Sequence, residues 1–268
     1  MKSFTPVLMF VACIAGCADP GPEGAPDAAA VKTQALEVVA ESERQWTGVA
    51  VTREGRVFVN FPRWSPEVPV SVAELQADGA LAAFPDQGWN AWSPGSDPTS
   101  VWVCVQSVVA DGEGSLWVLD PANPGFAGVV PGGPKLVEID IPTGAIIQTI
   151  RFDNTVAPSE SYLNDVRLDH LHATAYITDS GLGALVVVNL ATGASRRVLA
   201  DHPSTKAEDT VLVIGGEPWL RPDGSAPQVH ADGIAYDRAR DLVYFQALTG
   251  RTLYRISGAA LRDPALDE

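Results

Sequence analysis

Apolar and polar positions alternate in four segments that share one pattern. They are "TGVAVTREGRVFVNF" from Thr47, "QSVVADGEGSLWVLD" from Gln106, "NDVRLDHLHATAYITD" from Asn164 and "DGIAYDRARDLVYFQ" from Asp232. Each opens on a polar residue, alternates, turns, and alternates again. Alternation on both sides of a short turn predicts a β-hairpin. A second hairpin pattern follows each one: "SVAELQADGALAAFP" from Ser71, "KLVEIDIPTGAIIQTIRF" from Lys135, "ALVVVNLATGASRRVL" from Ala184 and "RTLYRISGAALRD" from Arg251. Each unit therefore holds about four strands, the content of one β-propeller blade. Units begin roughly 60 residues apart, more than the about 40–50 of a bare blade, and the excess falls in long loops.

The fourth unit is incomplete, because "SGAALRDPALDE" follows its third strand, "TLYRI". Two readings stay open. The chain is a truncated piece of a larger propeller, or the early segment "ALEVVAES" supplies the missing strand. In either case the fold class is an all-β propeller with about four blades present, occupying residues 41–268.

Composition agrees with many short strands: the 268 residues include 24 Gly and 21 Pro, and long amphipathic helical patterns are scarce. The formal net charge of −15 is spread along the chain. That argues against nucleic acid or an anionic membrane face as partner, since both need clustered Lys and Arg. Lys2 and the apolar run "FTPVLMFVACIAG" read as an export signal over residues 1–17. "IAGC" ending at Cys17 resembles the lipobox of bacterial lipoproteins, which implies a lipidated Cys17 and an outer-membrane or cell-surface location. A plain signal peptide and secretion is the alternative. Residues 18–40, rich in Pro, Gly, Ala and acid at their start, read as a tether. Of the three Cys, Cys13 leaves with the signal and Cys17 carries lipid, so Cys104 alone remains in the domain. One thiol forms no internal disulfide. In the strand-like run "VWVCVQ" it reads as buried and inert.

The first residue of an innermost strand sits at one rim of the central channel. The repeat therefore places Thr47, Gln106, Asn164 and Asp232 at equivalent positions around one mouth. Convergent polar groups there are candidate ligand contacts; capping of each hairpin is the plainer role. His230 is adjacent and joins the candidates. Asn164 and Asp232 offer oxygen ligands suited to Ca²⁺, too few alone for a metal site. Asp165 and Asp179 lie near, but alternation turns them away. His170 and His172 fall in a hairpin turn and His202 in a loop. No Ser-His-Asp or Cys-His arrangement has local support, and "GLGALVVV" is no dinucleotide fingerprint, since no helix follows it. Trp102 and Trp117 read as core strand residues. Trp64, Trp89, Trp92 and Trp219 lie in long loops, where they pack on the blades or wall a pocket over the channel.

"SYLNDVRLD", "AYITDSGLGALVVVNLATGASRRVLADHPS" and "DGIAYDRARDLVYFQALTGRTLYRISGAALRD" resemble the yellow and major royal jelly protein family in order and spacing, from about Trp46 to Asp263. The resemblance implies a six-bladed propeller whose members are secreted. Some bind aromatic amines in the channel and some resemble dopachrome-converting enzymes. It implies a small-molecule ligand, for which Asp232 is the expected anionic contact with Asn164 and Gln106 as hydrogen-bonding partners; a monomer that meets membrane only through its lipid anchor is expected. Gluconolactonase-like propellers are also similar, and they hold one divalent metal with a Glu, an Asn and an Asp. Asn164 and Asp232 match that pattern; Thr47 stands where the Glu belongs. Metal-dependent lactone hydrolysis is thus an alternative function, and a surface interaction module or inactive fragment a third.

Overall fold

The computed structural model describes residues 36–266, and the expected signal peptide, Cys13 and Cys17 lie outside them. The chain divides into two compact units, residues 1–41 and 42–268. Of the first, residues 36–41 are described; they form no strand and are largely exposed, which goes against the alternative in which "ALEVVAES" adds one.

Among its described residues the second unit contains five antiparallel sheets, four of them blades. Blade one holds β1 (Gly48–Val51), β2 (Val57–Asn60), β3 (Val72–Leu75) and β4 (Leu81–Ala83). Blade two holds β5 (Ser107–Ala110), β6 (Ser115–Asp120), β7 (Lys135–Asp140) and β8 (Ile146–Arg151). Blade three holds β9 (Leu163–Asp169), β10 (Thr174–Asp179), β11 (Ala184–Asn189) and β12 (Ser195–Val198). An exposed two-stranded arm, β13 (Val213–Ile214) and β14 (Glu217–Pro218), precedes blade four. That blade has three strands, β15 (Ala231–Asp237), β16 (Leu242–Ala247) and β17 (Tyr254–Ser257), followed by the short helix α1 (Gly258–Arg262). Within each sheet the strands lie in chain order, and β1, β5, β9 and β15 pack side by side as the inner wall. This is a β-propeller with four blades.

The core consists of layers between blades. Every residue of β6 is buried. Successive side chains of a strand point to opposite faces. Leu116 and Val118 accordingly join Phe58 and Val72 of blade one, while Trp117 and Leu119 join Ala175 and Ile177 of blade three. β11 repeats the device: Val186 and Val188 face blade two, and Leu185 and Val187 face Val243 and Phe245 of blade four. A strand covered on both faces reads as continuously apolar, which is why "SLWVLD" and "ALVVVN" lack polar alternation.

The "PTGA" and "ATGA" turns are built alike. Gly144 (φ 71°) and Gly193 (φ 75°) take left-handed backbone and donate to the carbonyls of Asp140 and Asn189. One expectation is corrected. Trp102 and Cys104 are fully buried, but in an irregular segment ahead of β5. The Trp102 N–H donates to the Trp89 carbonyl at 2.6 Å, and Asp120 accepts from the N–H groups of Val103 (2.7 Å) and Cys104 (2.9 Å) in place of a ladder partner.

Candidate functional site

A polar residue at the end of a blade's second strand holds the segment that leads into its innermost strand. In blade two this is Asp120, paired with fully buried Lys135 at 3.0 Å. In blade three Asp179 accepts from the N–H of Tyr162 (2.8 Å) and pairs with Arg197 (2.7 Å). In blade one Asn60 Nδ2 donates to Thr47 Oγ1 (2.8 Å) and to the Val105 carbonyl (2.9 Å). In blade four Thr249 Oγ1, just past β16, accepts from the N–H of Val229 at 2.9 Å. These anchors fix where each inner strand begins, and so where its first polar side chain stands.

Thr47, Gln106, Asn164 and Asp232 consequently line one cleft of about 990 Å³. They are also joined to one another. Thr47 Oγ1 donates to the Gln106 carbonyl at 2.9 Å. Gln106 Nε2 donates to Asn164 Oδ1 at 3.1 Å. Asn164 Nδ2 donates to the Asp232 main-chain carbonyl at 3.4 Å, and Thr178 Oγ1 donates to the same oxygen at 2.7 Å.

Two β-bulges aim the acids. Ala231 pairs with Ala247 and Gly233 with Gln246, leaving Asp232 as the extra residue of β15. Val166 pairs with Ile177 and Leu163 with Asp179, so Asn164 and Asp165 together oppose Thr178. A bulge breaks the period of two and re-aims a side chain. Asp165 therefore also faces the cleft, against the expectation from alternation; Asp179 is turned away, as expected. Asp165 accepts from Ser107 Oγ and Arg167, each at 2.8 Å. Burial pushes the Asp232 carboxyl up to about 6; the Asp165 carboxylate adds to the rise and the Asn164 side chain opposes it. Arg167, the lining cation among the described residues, pairs with Asp165.

The remaining candidates fall elsewhere. His230 does not line the cleft: its Nδ1 accepts from the Ala207 N–H at 2.9 Å, and burial and Lys206 hold it below the usual imidazole range. His202 caps a turn, accepting from the Ser204 N–H. His172 is exposed, whereas His170 turns a buried Nε2 towards Asp111 at 3.9 Å. Cys104 is buried and its thiol is pushed up to about 12 by burial, which makes it a poor nucleophile. Asp169, His172 and Asp241 form a cluster of metal-ligand types, but Arg262 already sits among them, donating to Asp169 (3.0 Å) and Asp241 (2.8 Å).

An aromatic wall completes the cleft. Trp64 stacks on Phe126 with centroids 5.9 Å apart, Phe126 meets Tyr162 at 4.8 Å, and Trp219 comes from the arm. Trp89 and Trp92 instead pack away from it, Trp89 against Trp102 and Trp92 under Arg63. Tyr162 escaped the sequence reading although a signal was there. It stands two residues before Asn164, the spacing that puts two side chains on one face of an extended segment.

No curated protein matches the sequence. Among solved structures, BamB from Moraxella catarrhalis is similar at 15% identity and a TM-score of 0.41, covering 82% of this chain and 52% of that one. Virginiamycin B lyase from Staphylococcus aureus is similar at 13% identity and a TM-score of 0.41, with 80% and 67% covered. A nidogen/laminin complex gives 13% identity, a TM-score of 0.46, and 80% and 60% covered. The chain thus spans about half to two thirds of the length of these structures, and the likenesses do not bear on function. The family model described as "Major royal jelly protein" matches residues 103–268, more than half of the chain and three of its four rim positions. This protein belongs to the major royal jelly protein family.

Proposed function

We propose that this protein binds a small aromatic amine at the mouth of its central channel. The observation that carries the reading is the placement of Asp232. Its carboxylate lies in a cleft walled by Trp64, Phe126, Tyr162 and Trp219, and the lining cation Arg167 is paired with Asp165. An ammonium group would supply the missing counter-charge, and the rings would stack on a flat ligand. Metal-dependent lactone hydrolysis has less support. Asn164 Oδ1 is engaged by Gln106, and Thr47 stands at the third ligand position.

The test is calorimetric titration with tyramine and with p-cresol, its neutral counterpart. Tyramine should bind more tightly at pH 7.5, and Asp232→Asn should weaken it by at least about tenfold, the size expected when one partner of a shielded charge pair is removed. Equal binding of the two ligands would sink the reading, and heat of Ca²⁺ binding that vanishes in the same variant would favour the lactonase.

A catalytic extension follows from the same group. A carboxyl titrating near neutrality can take up and return a proton, as tautomerisation of a catechol-derived substrate requires. Dopachrome decay no faster with wild type than with Asp232→Asn would leave binding as the whole function. Export with lipidation at Cys17 belongs to the same proposal, and Cys17→Ser should move the protein from the membrane fraction to the soluble one.

A further inference from the structure

The arm between blades three and four is apolar where a surface loop is ordinarily polar. From Val211 to Ser225 every residue but Leu212 is exposed. Val211, Val213, Ile214, Trp219 and Leu220 are five large apolar side chains within ten residues, and Val213 and Ile214 at the tip are 66% and 63% exposed. None of the five joins an apolar layer of the blades. Packing within the fold therefore does not account for them, and apolar groups gathered in the open mark a contact surface.

Two features decide what covers that surface. The first is the backbone, which is closed on itself. Val213 pairs with Pro218 and Ile214 with Glu217, and the Trp219 N–H donates to the Leu212 carbonyl at 2.8 Å. Gly215 (φ 61°) and Gly216 (φ 92°) make the turn. The strands are two residues long and Pro218 has no N–H, so the arm is a poor template for a strand from another protein. The second is charge. Glu208 and Asp209 precede the apolar stretch, Arg221 and Asp223 follow it, and Glu217 is the one charge from Thr210 to Leu220. With no cluster of cations, on a chain of net charge −15, the arm has no attraction for anionic lipid or for an acidic partner. An apolar tip over a charged base, with an amphipathic Trp between them, suits the interface of a bilayer with neutral headgroups. Five extended residues reach ~16 Å, enough for the about 5–10 Å depth of that zone.

We infer that the arm is a membrane contact additional to the lipid anchor expected at Cys17, in which Val211, Val213, Ile214 and Leu220 enter a zwitterionic lipid surface. Trp219 of the same arm lines the cleft, so a docked arm holds the channel mouth towards the lipid. The inference is independent of the amine reading.

A site-specific probe separates the arm from N-terminal attachment. The full chain carries Cys13→Ser and Cys17→Ser, which removes lipidation, and Ile214→Cys is labelled with an environment-sensitive dye. Ala191→Cys, in an exposed turn of blade three, is the reference, and buried Cys104 stays unlabelled. With phosphatidylcholine vesicles the dye at 214 should shift to the blue and be quenched by spin-labelled lipid, and the dye at 191 should do neither. Val213→Asp should weaken vesicle partitioning of the 214-labelled protein at least about tenfold, with its urea midpoint unchanged because that side chain packs on no blade. If the midpoint falls, the contrast between the two dyes carries the test. A dye at 214 unmoved by vesicles, equal shifts at both positions, or tighter binding to phosphatidylserine vesicles overturns the inference. A blue shift at 214 that grows with protein concentration in the absence of vesicles overturns it in favour of a second copy of the chain.

Discussion

Blades two and three hold their rim segments with buried, ion-paired carboxylates, whereas blades one and four use neutral side chains. Asp120 gathers the N–H groups of Val103, Cys104 and Ala122 and pairs with Lys135; Asp179 gathers those of Tyr162 and Gly181 and pairs with Arg197. Asn60 and Thr249 do the same work with fewer bonds and no charge. The difference follows from surroundings. Blades two and three have an apolar layer against a neighbouring blade on both flanks. A carboxylate enclosed there must carry its own cation and satisfy every lone pair. Among the described residues, blades one and four each share such a layer with one neighbouring blade. The charged anchors thus hold the middle of the rim, where Gln106 and Asn164 stand.

That comparison is broken most directly at Asp120. Asp120→Ala strands Lys135 and three backbone N–H groups in the interior, and should cost about 3–5 kcal/mol by urea denaturation. A loss below about 1 kcal/mol would show that the charged anchors are no stronger than the neutral ones.

Asp232 sharpens the comparison, because it is a shielded acid without a paired cation. Its folded value, about 6, stands above its ordinary 3.8, so the native state binds the proton more tightly than the unfolded chain. The favourable contribution is full below pH 4 and is lost as pH rises through 6. Asp232→Asn should therefore be more stable than wild type at pH 7.5, by on the order of 2 kcal/mol, with the gap closing towards pH 4. Urea midpoints for the two proteins across that range check it; a gap that does not change with pH would remove the burial argument. The smallest effect belongs to the neutral anchors: Thr249→Val removes one acceptor and should lower stability by about 1 kcal/mol.

The sequence by itself determined the blades. Strand alternation, the recurring turns and the repeat are local patterns, and they placed Thr47, Gln106, Asn164 and Asp232 at the start of their inner strands without any knowledge of contacts. It also separated Trp117, in a strand, from the loop aromatics. Local pattern could not reach the rest of the site. The bulges at Asp232 and opposite Thr178 depend on how one strand registers against another, and they overrode the alternation that turned Asp165 away. Trp64 and Tyr162 meet across 98 positions of chain, and Tyr162 and Gln106 across 56. Only packing of one blade on the next brings such groups within hydrogen-bonding distance, because a side chain's partner is set by tertiary geometry while its direction from the strand is set by the backbone's period of two. Tertiary structure alone therefore decided that the four rim residues line one cleft and are joined by hydrogen bonds, and that His230, beside Asp232 in sequence, does not line it.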